Sequence, residues 1–305
     1  MATGNNPSQQ SKRDRREEAR ETARRMREEA AKKAKRRRRV IQGSIIVAIV
    51  AVIAVVGVVI YSNAGSTTSA INPKNMLSGG ILLTSPEKAV TTAAIEPGKS
   101  ATPTTQILDG KTAHIQIWLD YQCPNCENFE TTNEATIKAM LAAGTATLEV
   151  HPVAILDSQN NNNYSTRSAA AVSCVANYDP NKFLDVSTVL FANQPDETTG
   201  TGLTNAKMLQ LFATVGVSSP DITKCVNDQT FASFVNNQTA AVASNSQMIN
   251  YNYNPPSFGT PNVVINGQRY EGANTNATQF QNFIAAAVND AGSKGTVTFP
   301  KPSSK

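Results

Sequence analysis

Histidine is nearly missing from this chain, with two in 305 residues, and cysteine is scarce, with four. Structural zinc normally takes four Cys or His ligands, often as two short-spaced pairs. Only Cys123 and Cys126 form such a pair; Cys174 and Cys225 stand far apart, and His114 and His151 fall in predicted strands. No metal site is expected. A phosphate-binding glycine loop and a Ser/His/Asp set are also missing, so neither nucleotide chemistry nor a serine hydrolase has a motif to rest on. A basic excess is missing from most of the chain as well. Residues 1–39 hold 15 Lys+Arg and 6 Asp+Glu, a net of +9, which leaves 13 basic against 17 acidic side chains elsewhere, a net of −4. That distribution argues against a nucleic-acid-binding globule.

One long apolar run is present. Ile41 to Tyr61 carries no charge and consists mainly of Val, Ile and Ala. At about 1.5 Å per residue, its length matches a bilayer core of about 30 Å. Arg36-Arg37-Arg38-Arg39 precedes it and a neutral Ser62-Asn63-Ala64-Gly65-Ser66 follows. The positive-inside rule then puts the N-terminus in the cytoplasm and the rest outside, in the cell envelope. A cleaved signal peptide is the alternative, with Ser62-Asn63-Ala64 faintly like a cleavage site, although both the charged and the apolar regions are long for one. The predicted organisation is a basic cytoplasmic tail over 1–39 and a single transmembrane anchor over 40–61. An extracytoplasmic linker with a possible first strand covers 62–106, a folded α/β domain 107–292, and a C-terminal tail 293–305.

Within the domain, Ala113–Leu119 reads as a strand, Glu127 to Ala143 as a helix and Ala146–Leu156 as a second strand. Residues 164–250 lack strand alternation. Their best helical stretches are Ser168–Asn177, Lys182–Phe191, Asn205–Val215 and Thr230–Ser244. Pro261-Asn262-Val263-Val264-Ile265 reads as a strand, and Asn266-Gly267 is a type I′ turn signal that returns Gln268–Tyr270 antiparallel. A last helix is predicted over Ala277–Asn289. The order describes an α/β domain with a large helical insertion.

Cys123-Pro124-Asn125-Cys126 lies at a strand-to-helix junction. There the first sulfur meets unpaired N–H groups and the positive end of the helix dipole, which favour a thiolate. The second lies one turn inside, within reach of a disulfide. Outside the membrane, four cysteines suit two bonds, and Cys123–Cys126 with Cys174–Cys225 is the economical pairing of the three possible. Trp118 is expected in the core; Tyr121 either lines a cleft near the sulfurs or packs there.

The stretch Asp120-Tyr121-Gln122-Cys123-Pro124-Asn125-Cys126 resembles the D-Y-x-C-P-x-C run of DsbA-like thiol–disulfide oxidoreductases, which have a thioredoxin fold. Thr260-Pro261 falls where that family keeps a cis-proline, and 164–250 where it inserts its helical domain. The likeness covers about 107–292. It implies that Cys123 is the attackable sulfur and Cys126 the resolving one. Thr260 and Pro261 would contact the substrate backbone, and no cofactor is implied beyond the redox-active disulfide. The implied partners are thiols of unfolded secreted proteins and a quinone-linked membrane protein that restores the disulfide. An extra bond within the insertion, here Cys174–Cys225, is a feature of some actinobacterial relatives. Two positions depart from the pattern. Asn125 replaces the His of strongly oxidising members and supplies no positive charge, so a milder oxidant is expected. Ile117 stands six residues before Cys123, where many thioredoxin-fold enzymes place a buried carboxylate. The same chemistry run as a reductase or isomerase, and a non-enzymatic envelope module, remain as alternatives.

Overall fold

The computed structural model describes residues 71–300 except 159, 198, 199, 293 and 294. The apolar run of 41–61 and the basic tail lie outside these residues. Among the described residues no helix is long and apolar enough to cross a membrane.

The central strand β4 (Ala113–Leu119) is buried at every position, because both faces of the sheet are covered. It pairs in parallel with β5 (Ala146–Pro152) and antiparallel with β6 (Asn262–Ile265). β1 (Ile81–Ser85) adds antiparallel to β5, with the short β2 (Lys88–Ala89) at its outer edge. β7 (Gln268–Arg269) closes the other edge, so the spatial order is β2-β1-β5-β4-β6-β7. Asn266 and Gly267 both take positive φ, 50° and 79°, the conformation that a type I′ turn requires.

Helix α1 (Pro124–Ala142) packs on the sheet face lined by Ile115, Ile117, Leu148 and Val150. Beside it lies the final helix α7 (Ala277–Ala291); Phe129 and Phe280 meet edge to face at 5.1 Å. Between β5 and β6 run α2 (Tyr164–Tyr178), α3 (Phe183–Phe191), α4 (Asn205–Thr214), α5 (Pro220–Asn227) and α6 (Ala232–Ala243). α2 is the hub of this insertion and is buried on all sides through Ala176. Its Ala and Ser residues admit close neighbours, and Ser168 and Ser173 satisfy their hydroxyls on the carbonyls of Tyr164 and Ala169, one turn back. Cys174 on α2 is bonded to Cys225 on α5, with Cα atoms 5.9 Å apart.

Two segments depart from the sequence reading. Thr105–Leu108, at the boundary of the expected linker and domain, forms β3, and Gly295–Thr298 of the expected tail forms β8; the two pair antiparallel as a separate small sheet. α5, which carries Cys225, lies outside the best helical stretches of the sequence. It is set by Ser219, whose hydroxyl accepts from Asp221 N, and by Pro220 in its first turn.

The second sheet face is unusually polar. Glu149 is fully buried there and accepts from Ser78, from Thr104 Oγ1 at 2.6 Å and from Gln116 Nε2 at 2.9 Å. His151 stacks on Trp118 with ring centroids 4.3 Å apart, and His114 bonds Thr147 and the carbonyl of Ile107. Both histidines are thus buried strand residues. Trp118 belongs to a small core with Val153, Met248 and Val264. A cavity of about 590 Å³ opens beside Trp118, His151 and Gln238, on this face and away from the cysteine pair.

Candidate active site

Cys123 is the N-cap residue of α1, with extended backbone. Its carbonyl accepts from Cys126 N at 3.0 Å and from Glu127 N at 3.1 Å. Pro124 opens the helix at a position where an N–H would have no partner, and Asn125 is exposed. Both cysteines are reduced and buried, Cys123 to 5% exposure and Cys126 to 1%.

The two sulfurs have opposite acidities. Hydrogen bonding from the Cys126 side chain lowers the Cys123 pKa to about 7 against the resistance of burial. Burial, and then Cys123 itself, push the Cys126 thiol well above its ordinary value. One proton is therefore held by the inner sulfur for the benefit of the outer one. The Thr260–Pro261 peptide bond is cis, and the Thr260 carbonyl accepts from Cys123 Sγ at 3.4 Å. The Thr260 hydroxyl lies beside both sulfurs and favours charge on either, without completing a hydrogen bond of its own. The structure thus brings Cys123, Pro124, Asn125, Cys126, Thr260 and Pro261 to one place. Cys174 and Cys225 lie apart in the insertion.

Asp120 serves the loop. Its Oδ1 accepts from Gln122 N at 2.9 Å, and its Oδ2 from Ile155 N at 2.8 Å and Leu156 N at 3.0 Å. Burial raises its pKa to about 6 despite these donors, and its charge opposes a thiolate at Cys123. Ile117 is buried in the apolar core between Val150 and Val263, so no carboxylate stands there. Glu130 lies one turn beyond Cys126 on the same helix face, with Glu134 a further turn along. Burial and then Glu134 push its pKa up to about 8.

The insertion grips the same loop. Tyr121 is fully buried; its hydroxyl donates to Ser187 Oγ at 3.0 Å and its ring lies 4.9 Å from that of Phe191, both on α3. Gln194, just past α3, donates its amide to the carbonyls of Tyr121 at 3.0 Å and Cys123 at 3.1 Å. Gln122 answers with a bond to the Pro195 carbonyl at 3.0 Å. Sequence reasoning missed Gln194, because a lone glutamine in a loop carries no pattern. Among the described residues no three His, Cys, Asp or Glu side chains converge as metal ligands.

Comparison with known proteins gives this geometry a context. A family model described as Thioredoxin matches residues 103–286. The structure of the reduced disulfide bond oxidoreductase DsbG from Mycobacterium tuberculosis is similar at 27% identity and a TM-score of 0.52, covering 70% of this chain and 88% of that one. Oxidised DsbA from the same organism is similar at 28% identity and a TM-score of 0.51, covering 69% and 93%. A stretch of 180 residues is 29% identical to serine/threonine-protein kinase PknE of Mycobacterium tuberculosis, covering 56% of this chain and 29% of the kinase. The chain therefore spans under a third of the length of the curated relatives it matches.

Proposed function

The chain belongs to the thioredoxin family, in its DsbA-like form, and from that premise we propose that Cys123 and Cys126 are the exchanging pair of a thiol–disulfide oxidoreductase acting on secreted or envelope proteins. The observation that carries this reading is the placement of the pair: Cys123 caps α1, Cys126 lies one turn inside, and the carbonyl of Thr260, before the cis bond to Pro261, is 3.4 Å from Cys123 Sγ. In the oxidised enzyme a substrate thiolate attacks Cys123 Sγ. The Cys123–Cys126 bond breaks, its electron pair stays on Cys126 Sγ, and a mixed disulfide forms. A second substrate thiolate then attacks the substrate sulfur of that mixed disulfide and expels Cys123 as a thiolate. The substrate gains one disulfide and the enzyme keeps two electrons as a dithiol. Thr260 and Pro261 stand opposite the sulfurs, where the substrate backbone would lie.

The anchor over 41–61 and the arginines before it support an envelope location with the domain outside the membrane. Renewed oxidation then falls to a quinone-linked membrane partner, which the anchor keeps close. The acidity of Cys123 sets the strength of the oxidant. A value of about 7 is near that of thioredoxin and far above the roughly 3.5 of strongly oxidising DsbA. With no cation at Asn125 to stabilise the thiolate, the potential is expected between about −270 and −120 mV. A potential at the low end of that range would fit the second reading, a reductase or isomerase fed by a membrane electron carrier.

Replacing Cys126 with Ala is the decisive experiment. The variant is expected to accumulate mixed disulfides through Cys123 with secreted proteins, and the intact protein to refold reduced RNase. Failure of both would sink the enzyme reading, and a potential at the thioredoxin end would select the reductase.

A further inference from the structure

The chain from Ile249 to Pro261 has no charged residue, and it carries Tyr251 and Tyr253 toward solvent, 69% and 44% exposed. Exposed aromatic side chains scattered singly need no explanation. These two are different because the loop that presents them is held in place. Asn250 and Ser257 exchange backbone hydrogen bonds at 2.9 and 3.4 Å, closing the segment at its base. Inside it, Asn252 N donates to Asn250 Oδ1 at 2.9 Å and Tyr253 N to the Asn250 carbonyl at 3.3 Å. Arg269 Nη1 donates to the Ile249 carbonyl at 2.8 Å, and Asn252 Nδ2 reaches Glu271 at 3.2 Å.

The loop also has an address. The Tyr253 ring lies against Gly259; a Cβ built there would stand 2.5 Å from Tyr253 Cε2 and 3.0 Å from its hydroxyl oxygen. The residue after Gly259 is Thr260, whose carbonyl accepts from Cys123 Sγ. The aromatic ring is thus one residue along the backbone from the group that touches the reactive sulfur. A polypeptide whose cysteine reached Cys123 past Thr260 would carry its flanking residues toward Tyr253.

We propose that Tyr251 and Tyr253 form an aromatic ledge that holds the extended, unfolded substrate chain beside its cysteine and favours cysteines with apolar or aromatic neighbours. The inference rests on the exchange reading of Cys123 and names the substrate feature that this site selects. The occupant follows from position and chemistry. Tyr253 meets the Thr260 edge through Gly259, and Tyr251 stands two residues before it in the same closed loop; the loop's own residues carry no charge to select a charged sequence, and tyrosine offers a large contact area at low entropic cost. An unfolded chain differs from a folded one in presenting such side chains next to its thiols.

The test uses the full chain and three reductants: dithiothreitol, a peptide with Cys between Phe and Leu, and the same peptide with Ser at both flanks. The oxidised protein is expected to react faster with the aromatic peptide than with the serine peptide. In the Tyr251→Ser/Tyr253→Ser double variant, the ratio of aromatic-peptide to dithiothreitol rate should fall about ten-fold, the scale of one or two aromatic contacts. The serine-peptide ratio should fall less than about two-fold by the same scale. The Tyr251→Phe/Tyr253→Phe variant should restore discrimination, since the rings and not the hydroxyls make the contact. Equal rates for the two peptides with the intact protein, or an unchanged ratio in the serine variant, would overturn the ledge. Failure of the intact protein to oxidise dithiothreitol would instead remove the exchange reading beneath it.

Discussion

Cys123 and Cys126 divide one proton unequally, and the consequence is measurable as a titration. With the Cys123 pKa lowered to about 7, its thiolate is scarce below that pH and dominant above it. Alkylation by iodoacetamide and the ultraviolet absorbance of the thiolate should both rise through a midpoint near 7, while Cys126 stays protonated. Asn125 offers a second test at this scale. It is exposed beside the helix N-terminus, so Asn125→His adds a cation next to the thiolate without disturbing packing. A drop of one unit in the Cys123 pKa corresponds to about 1.4 kcal/mol. The potential should rise by about 30 mV for that amount, as read against a glutathione buffer. These properties were partly legible beforehand, since the N-cap position of a cysteine favours thiolate wherever it occurs. The role of Asp120 was legible in part. An aspartate caps a turn two residues on, as Oδ1 does at Gln122 N, but its other two donors, Ile155 and Leu156 after β5, lie 35 and 36 residues away and no local pattern announces them.

Strands and helices with a strong period were the readable elements. β4 begins and ends where the alternation and apolar content placed it, and the Asn266-Gly267 turn follows from residues that tolerate positive φ. Asn276, the residue before the helix predicted from Ala277, caps α7 through a bond from Gln279 N at 3.0 Å. What escaped was the joining of elements. α3 and the residues after it hold the active loop through Ser187, Phe191, Gln194 and Pro195, and amide donors in a loop have no period. Gln194→Met keeps the length of the side chain and removes its two donors. The reduced protein should lose about 1–2 kcal/mol for the two bonds removed from the Tyr121 and Cys123 carbonyls, measured by urea unfolding. The bond between α2 and α5 closes a span of 51 residues. Replacing Cys174 and Cys225 together with Ala should cost about 4 kcal/mol on the chain-entropy account. The same denaturation experiment reads it, and exchange at Cys123 should persist in the molecules that remain folded.

For the molecule as a whole, acid stability turns on the polar face of the sheet. Burial alone would raise the Glu149 pKa, but His151, Ser78 and Thr104 overcome it and hold the carboxyl near 2, below its ordinary 4.5. The stabilisation is complete above pH 4.5 and is lost as the pH falls toward 2, on the order of 3 kcal/mol. A series of urea midpoints from pH 5 to 2 should show this slope, and Glu149→Gln should flatten it. The pairing of β3 with β8 was illegible for a different reason: each is four residues long, and Thr105 meets Thr298 across 193 residues of chain. That pairing also sets an order of events. At about 5–20 residues per second of synthesis, β3 waits roughly 10–40 s for its partner to leave the ribosome. The nascent protein therefore passes that interval with an open strand edge, and a chain cut short before Gly295 never closes it.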